Sequence, residues 1–333
     1  MKEPWYNLEP CWKEGKLFNF ILSMRGPGKT YAAKKKAIEL FLHDGTQFIY
    51  LRRYKREINI SSFFADVSQE FPETGLEVKK GGFWINGALA GVPIALSTAL
   101  TKKSVNFNRT GLIIFDEFLL PAKTNYRYLS GDVKQFLDFY ETVNRLRIDG
   151  RPEVRVLFLA NTFTMYNPYF NYLHIRFKNG QRVYKRDDIW AEIYGSTEFK
   201  ELKLQSRFGR LVADTEYGDY AIDGQFIEDS PKFVEKRTPR SDYYCTFWVG
   251  GTPYGVWIDW KAGKIFISEQ ANTQNYHQYA LTTEDHDVNT LLVTSRKKNY
   301  NLMVVTDNYK IGNVRFETQK VKNAVEDALL YFC

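Results

Sequence analysis

Cysteine and histidine are sparse in this chain, and their placement excludes several kinds of chemistry. Cys11, Cys245 and Cys333 are widely scattered with no C-x-x-C spacing, so neither a disulfide framework nor a zinc site is expected. The four histidines, His43, His174, His277 and His286, show no metal-ligand spacing either. No N-terminal apolar stretch resembles a secretory signal, and no run approaches the roughly 18 apolar residues of a membrane span. Internal repeats and low-complexity tracts are also missing. A soluble protein of a reducing cytoplasm is the expectation, and 333 residues suffice for two domains. Charge is only mildly unbalanced, with 46 Lys/Arg against 39 Asp/Glu giving +7. From Asp229 onward there are 13 basic and 12 acidic residues, so +6 falls on the first 228. A basic partner surface is therefore expected mostly in the N-terminal part, although solvated lysines alone reach a charge of this size.

The most informative stretch is Leu17 to Thr30, Leu-Phe-Asn-Phe-Ile-Leu-Ser-Met-Arg-Gly-Pro-Gly-Lys-Thr. An apolar strand breaks at Gly26, Pro27 and Gly28, and a helix restarts through Tyr31-Ala32-Ala33-Lys34-Lys35-Lys36-Ala37-Ile38. Such a loop aims backbone N–H groups and the positive helix terminus at one point, where a polyphosphate sits. Lys29 is then placed to reach the β- and γ-phosphates of ATP, and the Thr30 hydroxyl to hold Mg²⁺. The usual pattern wants glycine where this chain has Ser23, and a solvated turn is the alternative for Gly-Lys-Thr taken alone.

The complementary half is Gly111-Leu-Ile-Ile-Phe-Asp-Glu-Phe118. Apolar residues ending in two carboxylates predict a strand buried on both faces, which delivers Asp116 and Glu117 to the carboxyl edge of a parallel sheet. Asp116 is the expected Mg²⁺ ligand, directly or through water, and Glu117 the residue that orients or deprotonates the attacking water. A strand capped by two solvated acids is the alternative for this segment alone, but the two segments together predict a P-loop NTPase.

The fold expected is α/β. Strands at 47–53, 111–117 and 154–161, helices near 62–70 and 133–143, and hairpins within 77–96 surround the phosphate loop. This order suggests a mainly parallel sheet of the ASCE type, with an extra strand between the two nucleotide-binding motifs. From about residue 196 the pattern becomes charged and glycine-punctuated. The expected division is an ATPase domain over 1–196, a linker or small connecting subdomain over 197–228, and a C-terminal α/β domain over 229–333. Within the last, strands at 244–249, 254–260 and 264–268 read as an antiparallel meander, followed by a strand at 302–306 and a helix at 320–330.

Arg25-Gly-Pro-Gly-Lys-Thr-Tyr31, Gln47-Phe-Ile-Tyr-Leu-Arg-Arg-Tyr-Lys55, Phe115-Asp-Glu-Phe118, Asn167-Pro-Tyr-Phe170, Arg207-Phe-Gly-Arg-Leu211 with Thr215-Glu-Tyr-Gly218, and Leu281-Thr-Thr-Glu284 carry a resemblance to the genome-packaging ATPases of phi29-like tailed phages. It runs from about residue 16 to the C-terminus. The resemblance implies a ring of subunits, five in phi29-like systems, seated on the portal of an empty capsid in the host cytoplasm and driving double-stranded DNA inward. It also implies a second domain of RNase H-type fold without cutting activity, and a packaging RNA as a further partner. A helicase-like NTPase and a nucleotide-gated nucleic-acid scaffold without turnover are the competing readings.

Within that resemblance, Arg145 falls where the family places an arginine finger inserted by a neighbouring subunit, with Arg147 as the fallback and a solvated helix-end cation as the bland reading. Lys103 matches a second basic residue projected toward the neighbour, with Lys102 leaving the register open. Asn161 is placed like a sensor of the γ-phosphate or lytic water, or else like a turn-forming asparagine. Arg25 reads either as a phosphate contact or as a partner of Glu117. In the run Arg52-Arg53-Tyr54-Lys55-Arg56, the residues Arg53, Lys55 and Arg56 read as a DNA-tracking loop that grips phosphates without reading bases, or as an exposed helix start. In the second domain, Asp259, Glu284, Asp285 and Asp287 are the carboxylates to test for a two-metal nuclease.

Overall fold

The computed structural model describes residues 5–79, 81–99, 107–120, 128–129, 131–145, 147, 151–161, 167–177, 181–213, 233–294 and 296–332. The chain folds as two compact units, Met1–Ile227 and Glu228–Cys333. Among the described residues no helix is long and apolar enough to cross a membrane.

The first unit runs α1 (Glu9–Lys13), β1 (Phe18–Ser23), α2 (Lys29–Asp44), β2 (Gln47–Arg52), β3 (Leu76–Lys79), β4 (Gly82–Ile85), β5 (Ala88–Ala95), α3 (Leu96–Ala99), β6 (Thr110–Asp116), α4 (Asp132–Asn144), β7 (Arg155–Asn161), α5 (Pro168–Tyr172), β8 (Val183–Arg186), β9 (Ile189–Tyr194), α6 (Thr197–Gln205) and α7 (Arg207–Val212). Its sheet has the order β3-β4-β5-β2-β6-β7-β1-β9-β8. The strands from β5 to β9 in that order are parallel, with antiparallel pairs only at the edges. As expected, β7 separates the phosphate-loop strand β1 from the carboxylate strand β6.

Strand alternation builds two cores from the same central strands. Phe20, Phe115 and Phe158 point to the face covered by Phe136 and Phe139 of α4. Ile21, Ile114 and Leu159 point to the other face, against Ala33, Ala37 and Ile38 of α2. Both faces are sealed, so the strands end abruptly at their polar carboxyl edge. The expected hairpins form, with Asn86 and Gly87 at φ 49° and 77° in the second turn. The expected helix near 62–70 does not form as one element. That segment makes tight turns ending in a 3₁₀ turn at Ser68–Glu70, because Phe71 precedes a proline and Phe63, Phe64 and Val67 are drawn down onto Phe48 and Phe83.

The second unit comprises β10 (Asp242–Val249), β11 (Thr252–Asp259), β12 (Lys264–Ser268), β13 (Gln278–Ala280), β14 (Leu291–Leu292), α8 (Tyr300–Lys310), β15 (Val314–Phe316) and α9 (Gln319–Phe332). Its sheet order is β14-β13-β10-β11-β12-β15. The β10–β12 meander is antiparallel, and β13 and β14 run parallel to β10 on its other side. One expectation fails here, since 302–306 is not a strand but lies inside α8. Asn299 caps that helix by accepting from the Leu302 N–H at 2.8 Å, and the buried positions Leu302, Val305 and Thr306 follow helical spacing.

Candidate nucleotide site

The site is assembled where β1, β7, β6 and β2 end side by side. After Ser23 the chain turns through Gly26 and Gly28 at φ 102° and 94°, a region that side chains with a Cβ rarely enter. Gly28 then caps the sixteen-residue helix α2. The loop's carbonyls are tied outward, because Tyr6 N–H donates to Pro27 O at 2.8 Å and Lys203 Nζ of α6 donates to Arg25 O at 2.7 Å. A Cβ on Gly26 would come within 3.3 Å of the Phe199 ring of the same helix. These constraints fix a loop whose N–H groups and helix terminus suit an anion.

Lys29 is buried, and its ammonium donates to Ser23 Oγ at 2.7 Å, Met24 O at 3.3 Å and Asn161 Oδ1 at 3.3 Å. Ser23, which departs from the usual glycine, therefore supplies an acceptor for the lysine. Burial pushes Lys29 down to about 8, against the opposing pull of the Asp116 carboxylate. Across the site the Thr30 hydroxyl donates to Asp116 Oδ1 at 3.3 Å. A hydroxyl and a carboxylate at this separation beside an anion cradle are the hard oxygen donors that Mg²⁺ takes. Glu117 follows directly, with φ 56° and a largely exposed carboxylate.

Two further groups were not singled out from sequence. Tyr50 donates to Asp116 Oδ2 at 2.8 Å, and burial, reinforced by the same carboxylate, keeps its hydroxyl protonated. Arg52 reaches Asp116 Oδ2 at 3.4 Å and Glu117 Oε2 at 2.6 Å, while its buried Nε has no hydrogen-bond partner. Burial works against the Arg52 charge, but Glu117 and Asp116 more than offset it and raise its pKa. Register explains both contacts, because β2 lies beside β6 with Leu51 opposite Phe115, so Arg52 emerges level with the acids. Of the two readings of Arg25, the ion pair with Glu117 is made by Arg52 instead. The Tyr31 hydroxyl is bonded to Glu70 on the 68–70 turn.

The family model for the podovirus DNA encapsidation protein (Gp16) matches residues 1–331. The DNA packaging protein of Bacillus phage phi29 is 37% identical over 323 residues, covering 97% of this chain and 96% of that protein. Among solved structures, the phi29 viral genome packaging motor assembly aligns with TM-score 0.73 at 36% identity, over 99% of this chain and 100% of that one. The N-terminal domain of the phi29 DNA packaging ATPase aligns with TM-score 0.54 at 36% identity, over 59% of this chain and 98% of that domain. The chain belongs to the podovirus DNA encapsidation family.

In this family member the remaining expected residues are distributed as follows. Arg145 is exposed and ends α4 at φ 36°, its N–H donating to Glu141 O at 2.8 Å and its Nε to Thr142 O at 3.3 Å. Arg147 spends its guanidinium on three carbonyls, Asn144 at 3.0 Å, Pro152 at 3.0 Å and Thr110 at 2.6 Å. Thr110 opens β6 and Asp116 closes it, so Arg145 and Arg147 lie at the sheet edge opposite the carboxylates. Lys102 and Lys103 fall outside the described residues. Lys55 and Arg56 are exposed on a 3₁₀ turn, with the Arg56 guanidinium 5.3 Å from the Tyr54 ring centroid. Contrary to expectation, Arg53 is not part of a DNA-tracking loop. It is fully buried and ion-paired with Asp132 at 2.6 Å, so it cannot meet DNA.

Two of the carboxylates considered in the second unit are engaged in turns. Asp259 accepts from Thr238 Oγ1 at 2.6 Å and Ala262 N–H at 2.9 Å, and Asp285 accepts from the N–H groups of Gly250 at 2.9 Å and Gly251 at 2.6 Å. Among the described residues no three His, Cys, Asp or Glu side chains are grouped to hold a metal.

Proposed function

We propose that this chain is the ATPase subunit of a ring-shaped motor, a homopentamer, that sits on the portal of a preformed capsid and uses ATP hydrolysis to drive double-stranded viral DNA inward. The observation that carries this reading is the meeting of Lys29 and Thr30 with Asp116 and Glu117 at one sheet edge, inside a chain of the encapsidation family. Residues 1–196 act as the ATPase, 197–228 as the connection, and 229–333 as a module that binds the portal or a packaging RNA.

Thr30 and Asp116 are the residues that would hold Mg²⁺, which would supply positive charge against the β- and γ-phosphates. Lys29 exchanges its acceptors Ser23 and Asn161 for phosphate oxygens, and Asn161 is then free to orient the lytic water. Glu117 accepts the proton of that water once its carboxylate leaves Arg52. Arg145 of a neighbouring subunit completes the charge balance, Lys103 is a second basic residue supplied in trans, and Lys55 and Arg56 track the DNA phosphates.

The test is Glu117→Gln in assembled rings with DNA. Nucleotide affinity should stay near that of the wild type while hydrolysis falls on the order of 10² to 10⁴. Weakened binding with normal turnover would remove Glu117 from this role.

A further inference from the structure

Arg53 carries a full charge into the core directly behind the main chain of Glu117. Its side chain is 0% exposed, with Nε donating to Asp132 Oδ2 at 2.6 Å and Nη2 reaching Oδ1 at 3.4 Å. The rest of the fork is turned on the segment that follows β6. Nη2 donates to the Phe118 carbonyl at 2.6 Å and Nη1 to the Glu117 carbonyl at 3.3 Å. Asp132 is fixed in turn by the Tyr169 hydroxyl of α5 at 2.5 Å and the Leu129 N–H at 3.0 Å.

A buried ion pair is weak evidence for stability, because well-packed apolar side chains of similar volume do as well. Apolar side chains cannot donate to carbonyls, however. Glu117 sits at φ 56°, a conformation that a non-glycine residue keeps only where its surroundings over-determine it. Two consecutive arginines do so from opposite sides of one strand end. Arg52 takes the Glu117 carboxylate and Arg53 takes its carbonyl.

We infer that Arg53 is a positioning residue for hydrolysis. It pins the main chain at Glu117 and Phe118, so that the Glu117 carboxylate moves about a fixed Cα. Through Asp132, the first residue of α4, it also ties that main chain to the helix whose other end carries Arg145. The inference rests on the ATPase reading of the same site.

Two variants of the full-length chain test it, with ATP turnover counted per nucleotide-binding site in assembled rings. Arg53→Lys keeps a positive charge against Asp132 but replaces the five-donor fork with one ammonium. Arg53→Met combined with Asp132→Leu removes the pair in the manner cores tolerate. In both, kcat should fall about 100-fold, the usual cost of a reacting group displaced by about 1 Å, with KM for ATP within about twofold of wild type. A kcat within about twofold of wild type in either variant overturns the inference, as does a loss confined to KM. Failure of both variants to fold also overturns it, since Arg53 is then a core residue and nothing more. If the wild type does not hydrolyse ATP, or Lys29→Ala hydrolyses it normally, the ATPase reading itself fails, and the two failures stay distinct.

Discussion

Raising the pH from 7 to 9 should weaken nucleotide binding about tenfold through Lys29 alone. Burial holds the Lys29 ammonium near 8 instead of its ordinary 10.5, and its three acceptors are neutral oxygens. At pH 7 about nine-tenths of free protein carries the protonated lysine, and at pH 9 only about one-tenth. A bound polyphosphate brings several negative charges to the same ammonium and restores its proton. Binding should therefore take up about 0.1 proton per site at pH 7 and about 0.9 at pH 9. Isothermal titration with Mg-nucleotide in two buffers of different ionisation enthalpy reads that uptake directly. The same shift bears on stability in the absence of nucleotide. Below about 8 the lysine is protonated in both folded and unfolded chains, so the full penalty is present, and it fades as pH rises from about 8 to 10.5. An affinity that is flat from pH 7 to 9, with no proton uptake, would refute the argument that burial governs Lys29.

Two other perturbations separate functional from bland readings. Lys55→Ala and Arg56→Ala should each weaken DNA binding alike on unrelated sequences and reduce the log–log salt slope by roughly 1, measured by titration at several ionic strengths; sequence-selective loss would contradict a phosphate grip. Arg145→Ala and Glu117→Gln proteins should each be inactive alone, yet mixing them under ring-forming conditions should restore some ATP hydrolysis, whereas a solvated helix-end arginine predicts no rescue and a stability loss under about 1 kcal/mol.

The nucleotide motifs were legible because their chemistry demands particular residue types within a few positions of each other. Their departures were not. Ser23 looks like a defect in the glycine pattern, and only its 2.7 Å distance to Lys29 reveals an acceptor. The run Arg52-Arg53-Tyr54-Lys55-Arg56 reads as one basic surface, but the strand does not end until Arg52, and its alternation sends Arg52 to the carboxylates and Arg53 into the core. Counting the period of β2 against β6 was the available signal, though it required knowing that the two strands are neighbours. Arg147 was indistinguishable from Arg145 for a similar reason, since its three carbonyl partners come from segments both before and after it. The misread strand at 302–306 shows the limit of short apolar runs, which fit a buried helix face as well as a strand when the capping Asn299 is overlooked.

The connection of β6 to β7 through α4 decides what one subunit can do alone. A thirteen-residue helix is about 20 Å long, and α4 starts beside the main chain of Glu117 and ends beside the first residue of β6. Arg145 is therefore carried to the edge opposite its own Asp116 and Glu117, and no side-chain rotation closes a gap of that size. If Arg145 serves hydrolysis, it serves a nucleotide held by another copy of the chain. Turnover then depends on how neighbours are seated, and the order of firing around a ring is written into interfaces rather than into the nucleotide site. An isolated subunit with an intact phosphate loop should bind nucleotide well and hydrolyse it slowly, which is the behaviour a motor needs from a subunit awaiting its neighbour.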